Sequence, residues 1–226
     1  MKQLRVLGII FAVILVVGVA GMTRWKAVTT LGIDYDEDDY LRAAQEYTAI
    51  FSSGDFVKIF DTNYRPEHPA FAKIVMGLTL LGDQEKPLTP DKPTSAEPNK
   101  YLARDLLRTD RVTNAVFGVI TAGLLAIVNP LGGLLLGIHA WTIKYVSQVM
   151  LEAIPAFTSL ISVLAYLMWK RKLHNRISFW IVLSAIFLGI TAASKYLYCL
   201  VGIAILLDWL MDARENGGLK FTIRII

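Results

Sequence analysis

The residues best suited to chemistry form an acidic stretch near the start of the chain. Five of six consecutive residues are acids: Asp34, Asp36, Glu37, Asp38 and Asp39. They follow shortly after an apolar segment that is long enough to cross a bilayer. Asp36 and Glu37 are adjacent carboxylates that can divide general-base work, one taking a proton from an acceptor while the other orients or hydrogen-bonds.

Three other interpretations of this stretch stay open. Asp38 or Asp39 can cap a following helix and remain solvated. The tripeptide Asp34-Tyr35-Asp36 has the form of a DxD metal clamp for a nucleotide sugar, but that motif normally lies on a strand of a Rossmann-like soluble domain, and the pattern indicates none here. Calcium binding is disfavoured because the stretch lacks the glycine and the distant glutamate of an EF-hand loop.

A second group of candidates is Glu67-His68-Pro69. This tripeptide is typical of a polar helix start with proline at the first helical position. Glu67 and His68 can also hold a divalent metal, although two adjacent ligands without a third are a weak metal pattern. Lys73 follows within an apolar run, where it is either a snorkelling interfacial lysine or a cation for a lipid phosphate.

The remaining candidates border apolar segments. Arg111 begins an apolar helix, and the neighbouring Asp110 is its expected charge partner. Glu152 lies between two apolar runs, and Lys195, followed by Tyr196, lies between two others. Two or three cations around one pocket could neutralise a phosphate or pyrophosphate.

The elements that position these residues are too apolar for a soluble domain. Of 226 residues, 54% are hydrophobic, and the mean hydropathy is +0.48, which indicates a membrane protein. The net charge of +4 does not indicate nucleic-acid binding, because the basic residues form no long run and many flank apolar segments. The single cysteine, Cys199, cannot form an intrachain disulfide. The N-terminal run 6–22 lacks a following small-residue cleavage pattern, which favours a retained helix over a signal peptide.

The apolar runs predict an all-α transmembrane bundle with about six crossings: 6–22, 112–128, 131–150, 153–169, 178–193 and 196–211. A seventh run, 68–82, is short for a crossing, so we expect it to lie in the interface or to dip in and return. This arrangement places all the basic markers in the cytoplasm: Lys2, Arg5, Lys170, Arg171, Lys172, Arg176, Arg214, Lys220 and Arg224. Asn129-Pro130 and Gly132-Gly133 are expected to form the tight cytoplasmic turn after the second crossing.

The whole chain, 1–226, is predicted to be a single transmembrane domain with a first external loop at 23–110. An amphipathic helix over about 40–53 is expected on the membrane surface and is ended by Ser52-Ser53-Gly54. The proline-rich segment 83–100 is typical of a flexible loop. In this topology the acidic stretch and all the other candidates lie on the external face, and ionisable residues at membrane depth tend to be functional.

Five pieces of the chain together resemble the GT-C integral-membrane glycosyltransferases of the protein O-mannosyltransferase and aminoarabinose-transferase type. The pieces are YDEDDY at 35–40, EHPAFAK at 67–73, RVTNAVFG at 111–118, SQVMLEAIPAF at 147–157 and GITAASKY at 189–196. They are similar to that family's first-loop acids followed by tyrosine, its HPP-x-x-K segment, its arginine-led helix, its Met-Leu-Glu turn and its Ser-Lys-Tyr helix. No piece is specific alone, but the five occur in the family's order across nearly the whole chain.

The resemblance implies transfer of a sugar from a polyprenyl-phosphate donor to a protein, lipid or glycan acceptor on the non-cytoplasmic face of a cell or inner membrane. It implies no required cofactor, with a divalent cation as an option, and no nucleic-acid partner. It gives the catalytic base to Asp36, with Glu37 in support, and Glu152 faces the acceptor or a cation. The other residues bind the donor phosphate or shape the pocket: His68, Lys73, Arg111, Lys195 and Tyr196.

Two features depart from the family. Ala70 replaces the second proline of HPP, and the chain stops earlier than family members usually do, so we expect it to be the N-terminal part of a longer enzyme. The alternative function is a non-catalytic membrane subunit or a protein that binds or transports a lipid-linked sugar. Transporters usually hold their substrates near the bilayer midplane, whereas the ionisable residues here are predicted to cluster at one surface.

Overall fold

The computed structural model describes residues 2–82, 88–89, 102–173 and 178–215, and every regular element in these ranges is a helix. A short 3₁₀ helix, Tyr196–Cys199, precedes the last α-helix. The α-helices are α1 (Lys2–Thr30), α2 (Glu37–Ser53), α3 (Lys58–Asp61), α4 (Phe71–Thr79), α5 (Arg104–Val128), α6 (Pro130–Ile138), α7 (Ala140–Tyr145), α8 (Ala153–Leu173), α9 (Phe179–Ser194) and α10 (Leu200–Glu215).

Three helices are long and apolar enough to cross a membrane: Val6–Thr30 in α1, Arg104–Val128 in α5 and Ala153–Arg171 in α8. Helix α9 is apolar but shorter. The prediction of an all-α membrane protein is confirmed at this level. The count of about six crossings and their orientation stay predictions.

The run 68–82 forms the nine-residue helix α4, which rises only about 14 Å and is too short to cross a bilayer. Helix α4 packs closely against α2. A Cβ atom added to Gly77 would lie 2.7 Å from the carbonyl oxygen of Ala44 and from the Cβ of Tyr47. Only glycine therefore permits this approach, and it buries Ala72 and Met76 between the helices.

Helix α2 begins three residues earlier than predicted, at Glu37. Asp38 and Asp39 lie in its first turn, where the helix dipole favours carboxylates. They are 7% and 4% exposed, so the prediction that they cap the helix and stay solvated is wrong. The predicted end of the helix is confirmed, because Gly54 follows with a left-handed φ of 72°.

The third predicted crossing, 131–150, is interrupted. It consists of α6 and α7, and the side chain of His139 caps α7 by accepting from the backbone N–H of Thr142. The tight turn predicted at Asn129-Pro130 is confirmed, because Asn129 alone joins α5 to α6, but the two glycines assigned to it lie inside α6. At Gly133, an added Cβ would lie 2.6 Å from the Cβ of Ala126, so the glycine serves helix packing instead.

Helices α1 and α5 run antiparallel along a seam of small residues. Ala20 packs with Ala122 and Ala126. Further along, Gly118 approaches the side chain of Arg24, and an added Cβ would lie 2.8 Å from the arginine Nε. This pairing sets the end of α1 beside the start of α5.

Helices α8 and α9 are also antiparallel and are joined by hydroxyl groups. The hydroxyls of Thr158 and Thr191 are 2.8 Å apart, and Ser162 and Ser184 each donate to the backbone carbonyl of the other at 2.9 Å. The end of α9 consequently meets the start of α8. Helices α1 and α9 end in this region, and α5 and α8 start there. We call this region the “site end” of the bundle.

Several of the sequence predictions concern residues outside the described ranges. The loop 83–100 is described only at Leu88 and Thr89, and the chain end 216–226 is not described. Among the basic orientation markers, positions 176, 220 and 224 lie outside the described residues, as do the side chains of residues 2, 5, 172 and 214.

Candidate functional site

The clustered acids are held by cations from separate elements at the site end of the bundle. Asp34 pairs with Lys144 of α7 at 2.8 Å, and this contact lowers the pKa of Asp34. Asp39 pairs with Arg65, which lies in the connection between α3 and α4, at 2.6 Å. The negative charge of the stretch is thus largely matched by structural ion pairs.

Glu37 is the centre of this arrangement and is fully buried. Its Oε1 atom accepts from Arg111 Nε at 2.8 Å and from the backbone N–H of Val149 at 2.7 Å. Its Oε2 atom accepts from Arg111 Nη2 and from the backbone N–H of Asp34 at 2.9 Å. Both carboxylate oxygens are therefore occupied, and Glu37 joins α2 to α5 and to the segment before α8.

Arg111 uses all five of its N–H groups inside the protein. Besides Glu37, it donates to the backbone carbonyls of Val28, Leu31 and Gly32. The predicted Asp110–Arg111 partnership is wrong, because Asp110 accepts from the hydroxyl of Thr79 at 3.0 Å instead. We expected Arg111 to bind the phosphate of the sugar donor. In this arrangement none of its N–H groups is left to do so.

Lys73 is likewise engaged. It is fully buried, so the snorkelling interpretation is wrong. Its ammonium lies within 2.9 Å of the Asn63 side-chain oxygen and the carbonyls of Tyr64, Arg65 and His68. Burial lowers the pKa of Lys73 to about 8, which leaves the ammonium protonated at neutral pH. Lys73 therefore folds the 63–68 segment and has no donor left for a phosphate.

That segment forms one wall of an open pocket of about 200 Å³. Asp36 and Tyr40 form the opposing wall, and the ring of His68 meets the ring of Tyr40 edge to face at 6.0 Å. The volume is below the range of roughly 300–1,000 Å³ typical of small-molecule sites, so the pocket suits one end of a ligand. Its lining residues are Tyr35, Asp36, Asp39, Tyr40, Arg65, Glu67 and His68.

The electrostatics connect this pocket to residues beyond its lining. Burial raises the pKa of Tyr40, and the charges of Asp36 and Glu152 raise it further. Burial also lowers the pKa of His68, and the positive charge of Lys195 adds to that effect. Glu152 and Lys195 thus lie close enough to act on the groups in the pocket.

Glu152 and Lys195 form an ion pair between the start of α8 and the end of α9, and each side chain is 21% exposed. The second carboxylate oxygen of Glu152 is buried and has no hydrogen-bond partner among the described residues. The pair therefore retains an acceptor for a further donor. Tyr196 is 66% exposed and does not line the pocket.

The sequence-predicted residues thus converge on the site end of the bundle in two layers. A buried layer consists of Glu37, Arg111 and Lys73, which support the backbone. Of the other candidates, Asp36, Glu67 and His68 line the pocket. The Glu152–Lys195 pair affects the charge of His68, and Tyr196 is exposed outside the pocket.

Sequence reasoning missed Arg65 and gave Tyr40 no role. Arg65 adopts a positive φ of 59°, which its sequence does not announce. The only local signal was its position immediately before Pro66-Glu67-His68, a charged turn close to the other candidates. Tyr40 belongs to the quoted YDEDDY piece, and it is buried in the pocket wall with its ring against that of His68.

Within the described ranges, no three His, Cys, Asp or Glu side chains are close enough to hold a metal ion. Comparisons of the chain with protein-family profiles, curated protein sequences and solved structures found no significant match.

Proposed function

We propose that this protein transfers a sugar from a polyprenyl-phosphate donor to an acceptor hydroxyl at the non-cytoplasmic membrane surface. The observation that carries the proposal is the contrast between two adjacent acids. Glu37 is locked in a buried ion pair, whereas Asp36 is held at an open pocket beside His68 and Arg65. Such a fixed backbone with one carboxylate directed to a pocket suits a general base.

The roles implied by the sequence resemblance are revised in this proposal. Asp36 stays the base, while Glu37 and Arg111 act as positioning residues. The donor phosphate is bound by Arg65, which is 39% exposed, and by Lys195, with His68 at the pocket wall. These groups replace Lys73 and Arg111 as phosphate ligands because both of the latter have committed their donors.

The proposed reaction is a single displacement. The acceptor oxygen attacks the anomeric carbon and transfers its proton to Asp36, while the bond from that carbon to the phosphate oxygen breaks. The electron pair leaves with the phosphate, whose charge Arg65 and Lys195 offset. One displacement inverts the anomeric configuration. The lipid tail keeps the donor at the membrane surface, which lowers the entropic cost of bringing the two reactants together.

The proposed topology has six crossings: α1, α5, α6 with α7, α8, α9 and α10, with the N-terminus in the cytoplasm. It is supported by the arrangement of helix ends. The ends of α1 and α9 and the starts of α5 and α8 gather on one side, as alternating crossings require. This side carries the pocket and is assigned to the external face.

Donor turnover tests the proposal. The purified chain is reconstituted in lipid nanodiscs and supplied with polyprenyl-phosphate mannose or polyprenyl-phosphate aminoarabinose, and membrane extract serves as the acceptor. Released polyprenyl phosphate is measured for the wild type, for Asp36→Asn and for Asp55→Asn, an exposed acid outside the pocket. We expect release by the wild type and by Asp55→Asn only. Equal release by Asp36→Asn would contradict the assignment of the base.

A non-catalytic protein that binds a lipid-linked sugar is the second candidate. It is favoured by one observation: the cations Lys73 and Arg111 donate their hydrogen bonds to groups within the protein. Saturable binding of the donor in nanodiscs, without release of polyprenyl phosphate under any acceptor condition, would support this candidate.

A further inference from the structure

A second cavity lies at the site end of the bundle, between the end of α1 and the start of α5. Its volume is about 530 Å³, within the range of roughly 300–1,000 Å³ of ligand sites. Val28, Leu31 and Leu107 give it an apolar wall, and Arg104 and Arg108 lie at its edge. It shares no lining residue with the pocket that contains Asp36.

The two edge arginines place like charges together beside the cavity. Arg104 and Arg108 are exposed and are four residues apart on α5, where like charges destabilise a helix. Within the described part of the chain, neither has a carboxylate partner, and Asp105 between them does not line the cavity. The third arginine of the cavity, Arg111, is already neutralised by Glu37. Among the described residues, the cavity therefore carries two positive charges that no carboxylate pairs with.

The cavity also has the setting of a membrane surface. It lies where two helices that are apolar enough to cross a bilayer end side by side. Trp25 of α1 is 54% exposed at this level, and the guanidinium of Arg108 lies 5.5 Å from the centre of its ring. Exposed tryptophan with nearby arginine is typical of the boundary between lipid tails and headgroups.

We propose that this cavity binds the headgroup of an anionic phospholipid. Arg104 and Arg108 would contact the phosphate, with the guanidinium geometry that suits phosphate oxygens. The apolar wall formed by Val28 and Leu107 would receive the first part of the acyl chains. The site is independent of the proposed transfer reaction, and it would fasten the α1–α5 pair to one leaflet.

Native mass spectrometry of the detergent-purified chain tests the proposal. Phosphatidylglycerol and phosphatidylcholine are titrated separately, and the dissociation constants of the first bound lipid are compared. The wild type is expected to bind phosphatidylglycerol more tightly. In Arg104→Gln/Arg108→Gln its affinity should fall about thirtyfold, because each basic residue near the surface contributes a preference of roughly fivefold. The matched control, Lys26→Gln/Lys58→Gln, removes two exposed charges outside the cavity and should keep the preference.

Two further arms keep the test decisive. Thr29→Trp fills the cavity without changing charge, and it should weaken phosphatidylglycerol binding even if the double arginine variant fails to fold. Inorganic phosphate should not displace the lipid, because it gains nothing from the apolar wall. Equal binding of the two lipids, an equal loss in the lysine control, or full displacement by inorganic phosphate would each overturn the proposal.

Discussion

Glu37 and Arg111 form a buried ion pair that joins the acidic segment to the start of α5. The two side chains are 0% and 5% exposed, and they lie 74 positions apart in the sequence. The pair fixes the backbone that presents Asp36 to its pocket. The acid at position 37 therefore supports the pocket through its backbone, with both carboxylate oxygens already engaged.

Removing one member of this pair should be strongly destabilising. Glu37→Gln leaves the guanidinium of Arg111 buried beside an amide, and breaking a buried pair costs about 3–5 kcal/mol. The free energy of unfolding in mixed micelles measures the loss. Glu46→Gln breaks the partly exposed pair with Arg42 and serves as the control, with an expected change of at most about 1 kcal/mol. Similar losses in the two variants would contradict a central role for the pair.

Asp36→Asn should separate chemistry from folding. We expect the variant to stay folded and to keep the dissociation constant for the donor. Transfer should fall by about 10²–10⁴-fold, the usual contribution of a general base. Single-turnover assays with pre-bound donor measure the chemical step directly. A variant that transfers at the wild-type rate would remove Asp36 from the mechanism.

The all-α fold was predictable because long apolar runs require helices in a bilayer, where backbone groups must be satisfied within the segment. The convergence of distant ionisable residues was expected from the predicted alternation of the spans. The sequence did not predict whether each charged side chain is available to bind a ligand. Nothing in the local sequence indicates that Arg111 meets Glu37 instead of its neighbour Asp110, because that choice depends on how α2 docks against α5.

The same limit explains the errors at the helix ends. Asp38 and Asp39 have the residue type of caps, but tertiary contacts with Arg65 and the packing of α2 bury them. Gly133 has the residue type of a turn, but its lack of a side chain is used to bring α6 against Ala126. In both cases, packing between helices decided a choice that local propensity left open.

Lys73→Met should destabilise the pocket wall. Methionine resembles the apolar stem of lysine but lacks the ammonium, so the partly buried oxygens of Asn63 and three carbonyls lose their shared partner. One unsatisfied buried group costs about 1–3 kcal/mol, and we expect a loss within this range because the oxygens are only partly buried. Lys58→Met, at an exposed position on α3, is the control. Protease cleavage within 63–68, compared by peptide mapping, reports whether the loss is local.

Lys195→Ala should mainly affect donor binding. In the proposed site its ammonium offsets the donor phosphate, so we expect the dissociation constant of the donor to rise about tenfold, as for the loss of one charge-assisted hydrogen bond. The matched variant is Glu152→Gln. It removes the charge of the partner of Lys195 but keeps the lysine itself. Equal donor affinity in the wild type and in Lys195→Ala would show that the ion pair with Glu152 is only structural.

The pH dependence of stability tests the environment of His68. Its pKa lies below the ordinary value, chiefly because of burial and then because of Lys195. The unfolded chain consequently takes up a proton before the folded chain does as the pH falls below about 6.5. The contribution of the neutral imidazole is thus complete above that pH and is lost as the pH falls through the folded pKa. We expect the unfolding midpoint of the wild type to decrease as the pH is lowered from 7 to 5.5. The midpoint of His68→Asn should decrease less. His139→Asn, at an exposed helix cap, controls for the loss of an imidazole. If His68→Asn and the wild type respond identically to pH, the imidazole is not held in its neutral form by the fold.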